Sequence, residues 1–92
     1  MKIILRTHAL TRMARRSISE ADVRRVIESG KTIEEYPNDK PYPSRLVMGW
    51  IGSRPLHAVV AENPEQQQVI VITVYEPDAG RWAADFTRRK RT

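Results

Sequence analysis

Two hydrophobic periods divide the chain into a helical first third and a sheet-forming remainder. Ala9, Leu10, Met13 and Ala14 gather on one side of a helix that Thr7 is placed to cap and that runs to about Arg16. A second helix has clearer punctuation. Ser19 caps it, Asp22 stands at the third helical position to close a capping box, and Ile18 can staple onto Val23. Val23, Val26 and Ile27 give this helix its apolar face, and Gly30 is placed to end it.

Beyond Gly30 the period shortens to two. Thr32–Tyr36, Arg45–Trp50, Leu56–Ala61 and Gln68–Tyr75 read as strands, the last rich in valine and isoleucine. A stiff loop from Pro37 to Pro43, then Gly52-Ser53 and Asn63-Pro64-Glu65, supply the turns between them. Lys2–Arg6 reads as a short edge strand or an extended lead-in. Trp82 and Phe86, four apart, predict a last helical turn on the sheet. Short connections make sequential strands antiparallel neighbours. The expected fold is a two-layer α+β domain, an N-terminal helical hairpin packed on a four-stranded antiparallel sheet. One domain over residues 1–87 and a flexible basic tail over 88–92 complete the expected organisation.

A length of 92 residues allows one small core, and 40% hydrophobic with 29% charged residues fits a globular chain rather than a disordered one. No cysteine is present, so disulfides and thiolate metal sites are excluded. The apolar run Ile3-Ile4-Leu5 is too short for a signal peptide, and a cytoplasmic location is the expectation. Net charge is +5, and residues 1–31 alone carry eight Lys or Arg against three acids. The run Arg88-Arg89-Lys90-Arg91 adds to it, while acids collect at Glu34-Glu35 and at Glu62 and Glu65. Segregated charge dominated by arginine favours a nucleic acid as partner; an acidic protein is the competing reading.

The chemistry that remains is restricted. Gly30, Gly49, Gly52 and Gly80 are too scattered for a phosphate-binding glycine loop, and His8 and His57 lack nearby carboxylates at metal-ligand spacing. No cofactor or metal is therefore expected. His8, Arg12 and Arg16 recur every four residues and form one polar stripe on the first helix. An imidazole can move a proton near neutral pH, and guanidiniums can hold two phosphate oxygens at once. Attack by a neighbouring 2′-hydroxyl needs only those groups, which points to RNA rather than DNA. His57, in a central strand, and Tyr75, at the end of the last strand, are second candidates for proton transfer, although both residue types also serve as packing. Arg6, Arg15 and Tyr42 are candidate substrate contacts, Tyr42 as an exposed stacking ring.

The motif His8-Ala9-x-x-Arg12-Met13-x-x-x-Arg16-x-Ile18-Ser19, followed by the acidic capped helix, resembles a bacterial family known as domain of unknown function 4258. Leu46-Val47-Met48-Gly49, Arg54-Pro55-Leu56-His57 and Val71-Ile72-Thr73-Val74-Tyr75-Glu76-Pro77 continue the resemblance, which covers Thr7 to Pro77. That family is similar to RelE- and barnase-like toxin ribonucleases. The resemblance implies a RelE-like fold and the toxin of a toxin–antitoxin pair, an endoribonuclease neutralised by a zinc-finger or helix-turn-helix antitoxin. It places the functional positions at His8, Arg12 and Arg16, then at His57 and Tyr75. One departure is Ser17, where the family commonly has glycine. The alternative class is a non-catalytic nucleic-acid-binding or regulatory partner-binding module, which would explain the charge without a catalytic histidine.

Overall fold

In the computed structural model, which describes residues 2–90, the elements follow the order β1 (Lys2–Leu5), α1 (Thr7–Arg16), α2 (Glu20–Ser29), β2 (Lys31–Tyr36), β3 (Ser44–Ile51), β4 (Arg54–Asn63) and β5 (Gln68–Tyr75). The strands form one sheet in the order β1-β5-β4-β3-β2. Strands β2 to β5 make the expected antiparallel meander, but β1 pairs parallel to β5, Lys2 with Gln68 through Leu5 with Val71. The expected four-stranded antiparallel sheet is therefore corrected to a mixed sheet of five. The helical hairpin is corrected as well: α1 lies on β5 while α2 lies on β3 and β4. Each helix buries its stripe against the sheet instead of against its neighbour.

Both helices owe their ends to short-range chemistry. Arg6, not Thr7, is the residue before α1, and no side chain caps it. At its other end Ser17 adopts the left-handed conformation, φ 53°, so that its own N–H and that of Ile18 (2.9 Å) both donate to the Met13 carbonyl. Such a turn satisfies carbonyls that the helix leaves open. At the start of α2 the capping box is complete, with Ser19 and Asp22 exchanging two hydrogen bonds of 3.0 Å.

One contiguous core fills the space between helices and sheet. Ala9 and Met13 of α1, Ile18, and Val23 and Val26 of α2 pack on Val47, Leu56, Ala58, Val60, Val69, Val71 and Val74. Gly49 lets α2 approach closely, since a Cβ there would sit 3.1 Å from Val26. Two bulges decide what faces the other way. Val60 pairs with Val71 and Val59 with Thr73, so Ile72 is the extra residue, and Val71 and Val74 both reach the helix side although three apart. In β2 the shift falls at Ile33, between Thr32 and Glu34. Lys31 opposite Met48 and Glu34 opposite Leu46 thereby share the face away from the helices, along with His57 and Tyr75.

A compact hairpin over residues 81–90 covers part of that second face. It closes through Ala83 N–H to the Arg88 carbonyl and Lys90 N–H to the Arg81 carbonyl, each 2.8 Å, with Trp82 bridged to Arg89. The expected helical turn at Trp82 and Phe86 is absent, because Phe86 has φ 59° and turns the chain back. Of the expected tail, residues 88–90 belong to this hairpin, and Arg91 and Thr92 lie outside the described residues. Among the described residues, no helix is long and apolar enough to cross a membrane.

Candidate functional site

The upper half of β5 is where helix layer, sheet and hairpin meet. Strand β1 pairs only as far as Val71, its ladder ending with Arg6 N–H on the Val71 carbonyl at 3.1 Å. Beyond that point β1 no longer pairs with the edge of β5, and Tyr75 ends the strand there. A cleft of about 300 Å³ forms there, lined by Arg12 and Arg16 from α1, by Tyr75 and Glu76, and by Asp78, Arg81, Trp82 and Arg89.

The positive charge of this cleft is only partly balanced. Arg89 is paired twice with Glu34, at 3.1 and 3.3 Å, and its guanidinium lies 4.7 Å from the centre of the Trp82 ring. Arg81 has only a loose, exposed pairing with Asp78 at 3.9 Å. Glu76 is engaged by Arg54 at 2.8 Å, and Arg54 also donates to the carbonyls of Ser17 (3.2 Å) and Arg16 at the end of α1. Among the described residues, Arg12 and Arg16 make no ion pair.

Beneath Tyr75 lies a buried relay. The Phe86 carbonyl can only accept, so His57 carries its proton on Nε2 and donates across 2.8 Å. Nδ1 is then the acceptor for the Tyr75 hydroxyl, 3.2 Å away. The imidazole is fully buried, with Trp82 edge-on at a ring separation of 4.4 Å and Tyr75 at 5.3 Å. Burial holds the His57 pKa below its ordinary value, against the Phe86 carbonyl and Glu34, which favour the cation. Burial likewise raises the Tyr75 pKa, opposed by the positive charge of Arg89. On the same face Tyr36 donates to Glu34 at 2.6 Å, which lowers the Glu34 pKa, while burial foremost pushes that of Tyr36 up to about 12. At neutral pH the arrangement holds a neutral histidine, an intact phenol and a carboxylate.

A model of the family described as Domain of unknown function (DUF4258) matches residues 5–76. The chain belongs to that family. No curated protein and no solved structure matches it. The RelE-like resemblance therefore gains nothing from these comparisons, and the mixed five-stranded sheet stands on its own. The DUF4258 match takes in Arg12, Arg16, Glu34, His57 and Tyr75, whereas the hairpin bearing Arg81, Trp82 and Arg89 lies beyond it.

The cleft brings together Arg12, Arg16 and Tyr75, with His57 behind Tyr75. It is not lined by His8, which is exposed one turn before Arg12, nor by Arg6 and Arg15, also exposed. Tyr42 lies in the loop between β2 and β3, at the end of the sheet where Tyr36 pairs with Ser44. Tyr75 and its partner His57 are at the opposite end, roughly four strand residues or ~13 Å away. Sequence reasoning did not place Glu34, Arg81, Trp82 or Arg89 in the site; its only hints were the opposite charges of Glu34-Glu35 and of the run from Arg88 to Arg91. A more apolar hollow of about 420 Å³ is lined by Pro37, Pro43, Val60 and Pro64, but its Arg45 and Glu62 are already paired at 2.8 Å. Converging, unpaired cations make the Tyr75 cleft the better site. No group of three His, Asp or Glu suited to a metal ion occurs among the described residues.

Proposed function

We propose that this DUF4258 domain binds single-stranded RNA at the arginine-lined cleft and cleaves it by attack of the 2′-hydroxyl. The observation that carries this reading is that Arg12 and Arg16 line one cleft with Tyr75, whose hydroxyl is hydrogen-bonded to His57. The Tyr75 oxygen takes the 2′-hydroxyl proton while its own proton passes to His57 Nδ1. The 2′-oxygen then forms its bond to phosphorus, and Arg12 and Arg16 hold the charge on the non-bridging oxygens. The bond to the 5′-oxygen breaks, and that oxygen takes a proton from solvent at the cleft mouth, leaving a 2′,3′-cyclic phosphate and a 5′-hydroxyl. The imidazolium formed is countered by the Phe86 carbonyl and Glu34, and it returns a proton to Tyr75, which releases its own to solvent and so replaces the one taken by the 5′-oxygen. On this reading His8 borders the path of the RNA and is not the base. In a cell such an activity fits a toxin held in check by an antitoxin whose acidic residues occupy the cleft.

A second reading has a specific observation behind it. Both ring nitrogens of His57 are already engaged, as in a structural tie, and this suits a non-catalytic RNA-binding module. Purified wild type, Tyr75→Phe and the double variant Arg12→Ala/Arg16→Ala, each given an end-labelled RNA and its 2′-deoxy analogue, separate the two. Cleavage of RNA alone is expected, lowered about 10²-fold or more by Tyr75→Phe, the scale of a lost proton-transfer group. The double variant should lose binding to both oligonucleotides. Bound but intact RNA after prolonged incubation would establish the binding module instead.

A further inference from the structure

The cleft has two walls of different origin. Arg12 and Arg16 stand on α1, inside the family match, while Arg81, Trp82 and Arg89 stand on the hairpin beyond it. The hairpin contains no helix or named strand, and Trp82, Phe86 and Arg89 tie it to the sheet. Trp82 packs edge-on against His57, Phe86 accepts from His57 and meets Trp50 edge-on at 5.8 Å, and Arg89 pairs with Glu34. In this arrangement two guanidiniums of the hairpin face the same cleft as two of α1, with Glu76 committed to Arg54 and Asp78 only loosely paired with Arg81. Like charges on facing walls oppose closure, so Glu34 offsets at Arg89 what the empty cleft leaves unbalanced.

We propose that the hairpin is a closable wall of a phosphate site, that Glu34 is the positioning residue that keeps it closed when the cleft is empty, and that a bound phosphate group can substitute for Glu34 in that role. This rests on reading the cleft as a phosphate site, but not on RNA cleavage. A ligand bound between two walls stabilises the state in which both contact it, by the difference in its affinity for the closed and open forms. A phosphate bridging Arg12 and Arg16 to Arg81 and Arg89 has contacts on the hairpin only when the hairpin is closed.

The two tryptophans give a direct readout, because Trp82 is 4% exposed and Trp50 47%. In full-length protein carrying Trp50→Phe, acrylamide quenching of fluorescence reports Trp82 alone. Trp82 should be shielded in this background. Adding Glu34→Gln should increase its quenching several-fold, and inorganic phosphate should restore shielding where sodium chloride of equal ionic strength does not. Arg12→Ala added to Glu34→Gln should abolish the rescue while leaving Trp82 open. A structural role for Glu34 alone predicts exposure that phosphate does not reverse. The proposal is overturned if Glu34→Gln leaves Trp82 shielded, if phosphate fails to reclose it, or if rescue persists without Arg12. Reclosure by phosphate in a protein that leaves RNA intact would keep this proposal and remove the ribonuclease one. RNA cleavage with no phosphate rescue would do the reverse.

Discussion

Lowering the pH from about 7.5 to about 5 is expected to weaken the fold through His57. The ring is sealed from solvent, and burial is the dominant influence on it. The Phe86 carbonyl and Glu34 favour the imidazolium without outweighing that burial, and Arg89 disfavours it. In the unfolded chain the same ring titrates near 6.5. Below that pH the unfolded state holds a proton that the folded state refuses. Stability is thus complete above about pH 6.5 and falls as acid carries the solution toward the lower folded pKa. One proton sets the ceiling, about 1.4 kcal/mol per pH unit and about 2 kcal/mol accumulated by pH 5. The carboxyl groups of Asp22, Glu34 and Asp85, held low chiefly by hydrogen bonds from Ser19, Tyr36 and Thr87, act in the same direction. They do so only once unfolded carboxylates protonate, at about pH 4.5 and below. Urea titrations of wild type and His57→Gln isolate the imidazole, since a glutamine amide can still donate to the Phe86 carbonyl but does not titrate. The wild-type midpoint should fall by up to about 1–2 M more than that of the variant between pH 7.5 and 5. Equal acid sensitivity in the two proteins, or a wild type that strengthens on acidification, would refute the reasoning.

Ser17→Gly is expected to raise stability by about 0.5–1 kcal/mol, because relief of left-handed strain at φ 53° exceeds the entropy gained by the unfolded chain. Thermal unfolding followed by circular dichroism should show a rise of about 2–8 °C, and no rise would mean that the serine is unstrained. Gly30→Ala should act oppositely, since a Cβ there would press into the Val26 carbonyl oxygen and lie 2.7 Å from that of Met48. Backbone atoms cannot rotate aside, so the loss should reach about 3 kcal/mol, seen as a large fall in melting temperature; a variant as stable as wild type would show that α2 can lift from β3 freely.

What the sequence discloses depends on how far apart the interacting residues are. The α2 capping box and the strands of the meander were legible, because a cap or an alternating run is written within a few positions. The docking of β1 was not, since a four-residue strand carries no mark of a partner near the other end of the chain. The bulges at Ile33 and Ile72 were hidden too, and they set which side chains share a face. The four-residue spacing of Trp82 and Phe86 imitated a helix that the positive φ of Phe86 forbids. At the cleft, the polar stripe announced Arg12 and Arg16 because its spacing is local. It could not show that His8, Arg6 and Arg15 stay outside, which depends on how α1 is turned over β5. The Glu34–Arg89 pair joins the second strand to the hairpin, and nothing near either residue names the other.

The parallel pairing of β1 with β5 also constrains how the molecule is made. Synthesis delivers Ile3, Ile4 and Leu5 first, yet the strand that receives them is the last of the five to emerge. At ~5–20 residues per second, β1 waits roughly 3–13 s for that partner. Throughout that interval α1 lacks the strand on which it will lie, so the arginine wall and Tyr75 cannot meet. Whatever the cleft does, a chain translated short of β5 cannot do it.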